Sequence, residues 1–201
     1  MEVEDKIDLT WYQSDDVTRV AKLLLGKVLC TQLDGVLTKG IIVETEAYSG
    51  FNDKACHANN QRKTNRNAVM FDAGGKAYIY LCYGLHHLVN VVTNVAGRAD
   101  AVLIRALQPL LGIDEMLRRR NMSQPAKRLT AGPGVLSKAL GITTKQYGVP
   151  LDGNILWIED APQIADDKVV SSTRIGVEYA EEDALKPWRF YIKENPWVSK
   201  Y

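Results

Sequence analysis

Residues 28–48 read VLCTQLDGVLTKGIIVETEAY. Apolar and β-branched residues flank the pair Asp34-Gly35, and Asp-Gly is a preferred turn for two antiparallel strands. The pattern therefore predicts strands at Val28–Leu33 and Val36–Tyr48, joined by a tight hairpin.

The segments on both sides of this hairpin predict a sheet flanked by a few helices. Upstream, the apolar spacing from Ser14 to Leu25, followed by Gly26, predicts a helix. Downstream, the predicted strands are Lys76–Cys82, Leu88–Thr93, Ala101–Leu107, Ile155–Glu159 and Arg189–Lys193, and the predicted helices are Leu110–Asn121 and Leu136–Leu140. Because the strands follow one another through short hairpins, we expect an α+β fold: a single compact domain with a curved, mainly antiparallel sheet, flanking helices and a protruding β-hairpin.

Composition excludes several classes of protein. The chain has 201 residues, 46% of them hydrophobic, and a net charge of +1, which fits one globular domain at residues 1–201 with 1–13 as an N-terminal extension. Three cysteines without a CxxC pair argue against a disulfide scaffold or a cysteine-rich zinc site. The sequence shows no secretory signal, no apolar run long enough for a membrane helix, and no nucleotide-cofactor motif. We expect a cytosolic, reducing location.

The near-zero net charge hides an uneven distribution of charge. Residues 54–66 and 118–128 contain basic but no acidic side chains, whereas 159–183 is strongly acidic. A single charged run is most often a solvated surface.

Two carboxylates stand on one face of the second predicted strand. In an extended chain, Glu44, Glu46 and Tyr48 point to the same side. They precede a long polar loop, Gly50–Phe71, of a kind that is usually functional or disordered. The three side chains could form a general acid/base site or an exposed strand face with solvated acids, and the pattern alone leaves both open.

Aromatic, histidine and arginine residues supply further candidates. Tyr78 and Tyr80 share a strand face, which is typical of core tyrosines, but Tyr83 falls at a hairpin tip where burial is difficult. The histidines His57, His86 and His87 match no metal-binding spacing. A predicted strand also carries Arg105, for which Glu46 is a candidate ion-pair partner.

Taken together, these motifs resemble the alkyladenine (3-methyladenine) DNA glycosylase family. The matching segments occur in the family's order across about residues 16–199, and that order is far more specific than any single motif. They include Val43–Tyr48, His57, Thr64–Asn67, Met70-Phe71, Tyr78–Gly84, Asn90, Leu103–Pro109, Gly132-Pro133, Arg174–Val177, Lys186–Tyr191 and Pro196–Ser199.

The resemblance implies an enzyme of base excision repair. It would bind double-stranded DNA as a monomer, flip out an alkylated or deaminated purine and hydrolyse its N-glycosidic bond, without a cofactor, a metal, a membrane or an obligate protein partner. The family's substrates are 3-methyladenine, 7-methylguanine, hypoxanthine and ethenoadenine. No lysine stands at a motif position as a Schiff-base nucleophile, so the enzyme would be monofunctional and leave an abasic site.

The resemblance also assigns roles to individual residues. Glu46 matches the catalytic base, Arg105 the residue that holds the base and its water, and the backbone of Ile175 a further water-positioning group. The flipped base would lie among Tyr48, His57, Tyr80 and Asn90, while Tyr83 would intercalate into the DNA. Possible DNA contacts are Leu85, His86, Arg62, Thr64 and Arg66, where His86 departs from the aromatic residue of some relatives.

The resemblance also gives the uneven charge a testable layout. The basic segments 54–66 and 118–128 should flank the hairpin tip at Tyr83, and the acidic stretch 159–183 should mostly face away from the DNA. The exception should be Arg174-Ile175, which the resemblance places at the active site. We expect such an enzyme in the cytoplasm or nucleoid, or in the nucleus of a eukaryote.

Two other functions stay open at this point. One is a noncatalytic nucleic-acid-binding module on the same scaffold, against which the presence of Glu46 argues. The other is a metal-dependent hydrolase that uses Glu44, Glu46 and His57, which a chelator would inactivate.

Overall fold

The hairpin of residues 28–48 lies at the centre of the sheet. The structure is a computed structural model that describes residues 5–200. Strands β1 (Val28–Leu33) and β2 (Val36–Tyr48) pair antiparallel, with Leu33 opposite Val36. Asp34 and Gly35 both have positive φ angles, +53° and +77°, as a tight two-residue hairpin turn requires. The predicted hairpin is confirmed.

Six further strands complete one open antiparallel sheet. They are β3 (Ala77–Cys82), β4 (His86–Thr93), β5 (Asp100–Leu111), β6 (Leu156–Glu159), β7 (Val169–Ser172) and β8 (Arg189–Ile192). The sheet order is β3-β4-β5-β2-β1-β6. The second half of β2 also pairs with β8, which in turn pairs with β7. The predicted α+β fold is confirmed.

Three short α-helices accompany the sheet within residues 5–200. They are α1 (Val17–Leu23), α2 (Ile113–Arg120) and α3 (Pro133–Leu140). The remaining helical segments are 3-10 turns at Leu9–Tyr12, Asn59–Gln61, Ala68–Phe71, Lys127–Leu129, Thr144–Gln146, Asp166–Lys168 and Glu178–Leu185. Among the described helices, none is long and apolar enough to cross a membrane.

Two sequence-based predictions of secondary structure need correction. The helix predicted at 110–121 begins only at Ile113, because Leu110 and Leu111 continue β5 and Leu111 pairs with Lys39. Gly112 then turns the chain with a φ angle of +73°. Strand β7 was not predicted, because its four residues are too few to show an alternation of apolar and polar side chains that would distinguish a strand from a loop.

The two faces of β3 and β4 contact different parts of the chain. Ile79 and Val89 point into the main core, which the three helices cover. Their neighbours Tyr78 and Val92 point the other way, into a second cluster with Met70 and other residues of the long segment 50–71. That segment is therefore packed against the sheet, and a cavity is left between the two.

The described part of the N-terminal extension is packed against the sheet. The Ile7 amide donates to the Ile158 carbonyl, and the Tyr12 carbonyl accepts from the Asn94 amide. Both Ile7 and Tyr12 are buried. Residues 1–4 lie outside the described range.

Candidate active site

Glu46 is fully buried near the end of β2, and three donors hold its carboxylate. Its Oε1 accepts from the backbone amide of Ile175 at 2.8 Å. Its Oε2 accepts from the Tyr48 hydroxyl at 2.7 Å and lies 3.3 Å from Nη1 of Arg105. Both carboxylate oxygens are therefore held in fixed positions. The alternative interpretation of Glu46 as a solvated acid on an exposed strand face is wrong.

The backbone near Glu46 departs from regular pairing. The register between β2 and β5 shifts between Ile42 and Glu44 and again between Glu44 and Thr45. Such irregularities bend a strand and redirect side chains, and they are common beside active sites. Here they bring Arg105 from β5 within reach of both Glu44 and Glu46.

Glu44 is equally buried but has different partners. It accepts from the Ser199 amide at 2.7 Å and from the guanidinium groups of Arg105 and Arg189, both at 3.1 Å. Burial acts to lower the pKa of Arg105, but the charges of Glu46 and Glu44 outweigh it and the net shift is upward. Glu44 thus fastens the C-terminal segment to the sheet, whereas Glu46 is bonded to Tyr48 and to the backbone of Ile175. The ion pair predicted between Arg105 and Glu46 is present, and Glu44 shares the same arginine.

A cavity of about 490 Å³ lies between the sheet and the segment 50–71. Its wall includes the four residues predicted to hold a base, namely Tyr48, His57, Tyr80 and Asn90. The rest of the wall is formed by Ala55, Cys56, Arg66, Met70, Tyr78, Leu81, Cys82, Tyr83, Leu88, Ala101, Leu103, Arg105, Pro133, Ile175, Gly176, Val177 and Tyr179. Glu46 is absent from the wall, but its three hydrogen-bonding or ion-pairing partners all belong to it.

Hydrogen bonds and ring contacts hold the aromatic side chains of the wall, and His57 among them is neutral. The rings of His57 and Tyr80 meet edge to face with centroids 4.6 Å apart. Nδ1 of His57 lies 2.8 Å from the Tyr78 hydroxyl, and the Asn90 side chain donates to the Tyr78 carbonyl at 3.0 Å. Burial and the charge of Arg66 lower the pKa of His57 to about 4, so the ring is neutral at pH 7.

Tyr48 remains a hydroxyl donor. Burial, followed by the adjacent charge of Glu46, raises its pKa well above the ordinary value of 10. The phenol therefore keeps its proton at physiological pH and can donate it to the Glu46 carboxylate.

The hairpin between β3 and β4 projects into solvent. Tyr83 is 91% exposed and Leu85 77% exposed, while Cys82 pairs with His86 below them. Tyr83 has a φ angle of +50°, a conformation that costs a non-glycine residue about 1–3 kcal/mol and that clusters at functional sites. The base of the hairpin packs against α3, where a Cβ on Gly134 would lie 2.8 Å from His86.

The remaining predicted DNA contacts occupy different environments. The Arg66 guanidinium lies over the Tyr80 ring, 4.8 Å from its centroid, and lines the cavity. Thr64 is bonded to the Asn67 side chain within the loop, and Arg62 is exposed. Their contacts to DNA stay a prediction.

Sequence reasoning missed Tyr179. This side chain is 65% exposed, donates to the Ala55 carbonyl and lines the cavity. It follows the Arg174–Val177 motif by two residues, and nothing in its local pattern marks it.

The charge layout is less segregated than predicted. Lys54 forms ion pairs with Glu181 and Glu182 at 2.6 and 2.8 Å, so part of the acidic stretch lies against the first basic segment. In the second basic segment, Arg118 and Arg119 both pair with Glu115. We predicted that, within the acidic stretch, only Arg174-Ile175 would lie near the active site. The part near the cavity is longer and runs from Arg174 to Asp183, because Ile175, Gly176, Val177 and Tyr179 line one side of the cavity.

No group of three or more histidine, cysteine, aspartate or glutamate side chains in residues 5–200 could hold a metal ion. His57 is engaged with Tyr78, and Glu44 and Glu46 are engaged with arginines. The donor set of the metal-dependent alternative is thus not assembled in this structure.

Comparison with known proteins gives consistent matches along the chain. A family model for methylpurine-DNA glycosylase (MPG) matches residues 10–196. A relative from Bacillus cereus (strain G9842), named "Putative 3-methyladenine DNA glycosylase", is 46% identical over 198 residues, covering 94% of this chain and 97% of its own. Relatives of the same name from Bacillus thuringiensis (strain Al Hakam) and Bacillus mycoides (strain KBAB4) are 45% and 44% identical, with coverage of 94% and 95% of this chain and 97% and 98% of theirs.

Proposed function

This chain belongs to the methylpurine-DNA glycosylase family and is a DNA glycosylase of the 3-methyladenine type, and we propose that it flips the damaged purine into the cavity beside Glu46. The single observation that carries the proposal is the buried carboxylate of Glu46. The three residues that contact this carboxylate all line a cavity with aromatic walls.

Base flipping follows from the chemistry of the substrate. A purine inside a duplex is stacked and paired, so its glycosidic bond is accessible only after it leaves the helix, at a cost of a few kcal/mol. The aromatic wall can stack on the extruded base and recover part of that cost. An alkylated purine that carries positive charge gains a further attraction to aromatic faces.

Hydrolysis would take place where Tyr48, Arg105 and Ile175 meet. There a water molecule could approach the anomeric carbon of the sugar, with Glu46 as its base. The water oxygen bonds to the anomeric carbon, the bond from that carbon to the purine nitrogen breaks, and the water proton passes to Glu46. The negative charge of Glu46 would also stabilise the positive charge that develops on the sugar.

The exposed hairpin is suited to the gap that the purine leaves. Architectural proteins insert apolar side chains between bases of the minor groove, and Tyr83 offers an aromatic ring at the tip of a projecting turn. Leu85 and His86 stand beside it and would contact the neighbouring nucleotides.

We propose in addition that residues 1–201 act as one monomeric domain without cofactor or metal, in the compartment that holds the chromosome. The damaged purines would be 3-methyladenine, 7-methylguanine, hypoxanthine and ethenoadenine. The product would be an abasic site with an intact strand, because no lysine is among the described residues that line the cavity.

The test is excision from duplexes that each carry one of these lesions, in the presence and absence of EDTA. Release of at least one damaged base, without strand cleavage and unaffected by EDTA, supports the proposal. Lesion binding with no release would favour the noncatalytic module, and loss of release in EDTA would favour the metal-dependent hydrolase.

A further inference from the structure

Arg174 lies outside the cavity but directly behind it, and we propose that it is a positioning residue for Glu46. This inference rests on the proposed role of Glu46 as the catalytic base. Arg174 is buried, and its guanidinium forms two bonds of 2.7 Å with Asp53. A bidentate pair of this kind fixes direction as well as distance.

The same guanidinium joins segments that are distant in sequence. Besides Asp53, it donates to the carbonyls of Ala47 and Asp183, each at 2.9 Å. The three acceptors belong to the end of β2, the following loop and the 3-10 segment that precedes β8. Arg174 therefore fixes its own backbone relative to β2, and the next amide, that of Ile175, is the one that donates to Oε1 of Glu46.

Arg174 also supports the second donor to Glu46. Its guanidinium lies over two aromatic rings, 4.8 Å from the centroid of Tyr48 and 5.2 Å from that of Trp188. Tyr48 also lines the cavity, and its hydroxyl donates to Oε2 of Glu46. One planar cation thus holds both neutral donors to Glu46.

Charge alone does not explain this arrangement. A lysine could neutralise Asp53, but it could neither form the two-pronged bond nor offer a planar cation to the two rings. The geometry therefore predicts that shape at position 174 controls the rate of the chemical step, because Arg174 does not line the cavity itself and reaches Glu46 only through Tyr48 and Ile175.

The experiment compares Arg174→Gln and Arg174→Lys with the wild type on a duplex that carries one hypoxanthine. We expect the single-turnover excision rate of Arg174→Gln to fall about 100-fold, the loss typical of a group misplaced by ~1 Å. The rate of Arg174→Lys should lie between that of Arg174→Gln and the wild type. The dissociation constant for the lesion duplex should change far less than the rate.

Arg119→Lys is the matched control for loss of stability. Arg119 is also a largely buried arginine, paired with Glu115 and bonded to the Ala139 carbonyl, but it belongs to the packing of α2 against α3. We expect its thermal midpoint to fall without a matching loss of excision rate.

Trp188→Leu is the second variant, since it removes one stacking ring and keeps the ion pair with Asp53. It should slow excision less than Arg174→Gln does and leave lesion affinity nearly unchanged. It decides the question if Arg174→Gln fails to fold.

The positioning role would be overturned if Arg174→Lys and Trp188→Leu excised at the wild-type rate. It would also be overturned if the Arg174 variants lost lesion affinity as strongly as they lost excision rate. A rate loss in Arg119→Lys as large as that in Arg174→Lys would do the same. If the wild type itself leaves every lesion in place, the proposed function fails, which is a distinct result.

Discussion

Replacing Glu46 with glutamine removes the negative charge of the side chain while nearly preserving its size. General base catalysis contributes about 10²–10⁴-fold to a rate, so we expect single-turnover excision by Glu46→Gln to fall by at least that range. The loss corresponds to about 3–6 kcal/mol of barrier, at about 1.4 kcal/mol per factor of ten. Lesion affinity should persist, because Glu46 lies behind the cavity wall.

The contacts of Glu46 also set a cost in stability. A glutamine offers one acceptor and one donor group, but the site aims donors at both oxygens. Whichever way the amide turns, its NH₂ group meets either the Ile175 amide or the Arg105 guanidinium. One buried donor left without an acceptor costs about 1–3 kcal/mol, which a urea unfolding curve will measure.

Glu44→Gln is the matched control for this experiment. Glu44 is on the same strand, equally buried and paired with the same Arg105, but its other partners are Arg189 and Ser199. We expect it to lose stability comparably and to retain most excision per folded molecule. Full excision by Glu46→Gln, measured with enzyme in excess over a lesion duplex, would refute the assignment of the base. If both variants lost the same fraction of the excision rate, the loss would come from removing a buried charge and not from removing the catalytic base.

Three other variants test separate parts of the site. Tyr83→Ser should weaken binding to a lesion duplex in a gel-shift titration and leave thermal stability unchanged, because the side chain is 91% exposed; unchanged lesion affinity would contradict the wedge. Burial and a neighbouring guanidinium lower the pKa of His57 to about 4 from its ordinary 6.5. The unfolded chain therefore binds this proton first as pH falls, and stability should decline between about pH 6.5 and 4. The decline should be smaller in His57→Phe, and water screens part of it because residue 57 as a whole is exposed at the surface. Identical urea midpoints for both proteins across that pH range would exclude the effect. Arg105→Gln should lower the free energy of unfolding by about 3–5 kcal/mol, since it leaves two buried carboxylates short of a cation; a loss below 1 kcal/mol, of the size of a surface pair, would show that this ion pair is solvated.

The sequence predicted local structure well where the signal is local. The Asp34-Gly35 turn, the strand alternation from Val36 to Tyr48 and the exposed tip at Tyr83 all follow from residue type and spacing. Each depends on neighbours only a few positions apart, so short-range sterics and burial decide it.

Long-range pairing decided what the sequence left open. Glu44 and Glu46 look alike in the strand pattern, yet one is bonded to Ser199 and the other to the amide of Ile175. Likewise, Leu111 carries a helical pattern but joins β5, because pairing with Lys39 satisfies its backbone within the sheet. No periodicity over ten residues encodes partners more than sixty positions away.

The sequence by itself determined the order of the motifs along the chain and, through them, the family, and it singled out Glu46 as the candidate base. Only the tertiary structure decided that Tyr48, Arg105 and Ile175 converge on that carboxylate at the end of an aromatic cavity, and that Arg174 holds two of them from behind. The physical reason is that a buried charge is tolerated only where donors from several segments meet it, and their meeting depends on the register shifts and packing of the whole sheet.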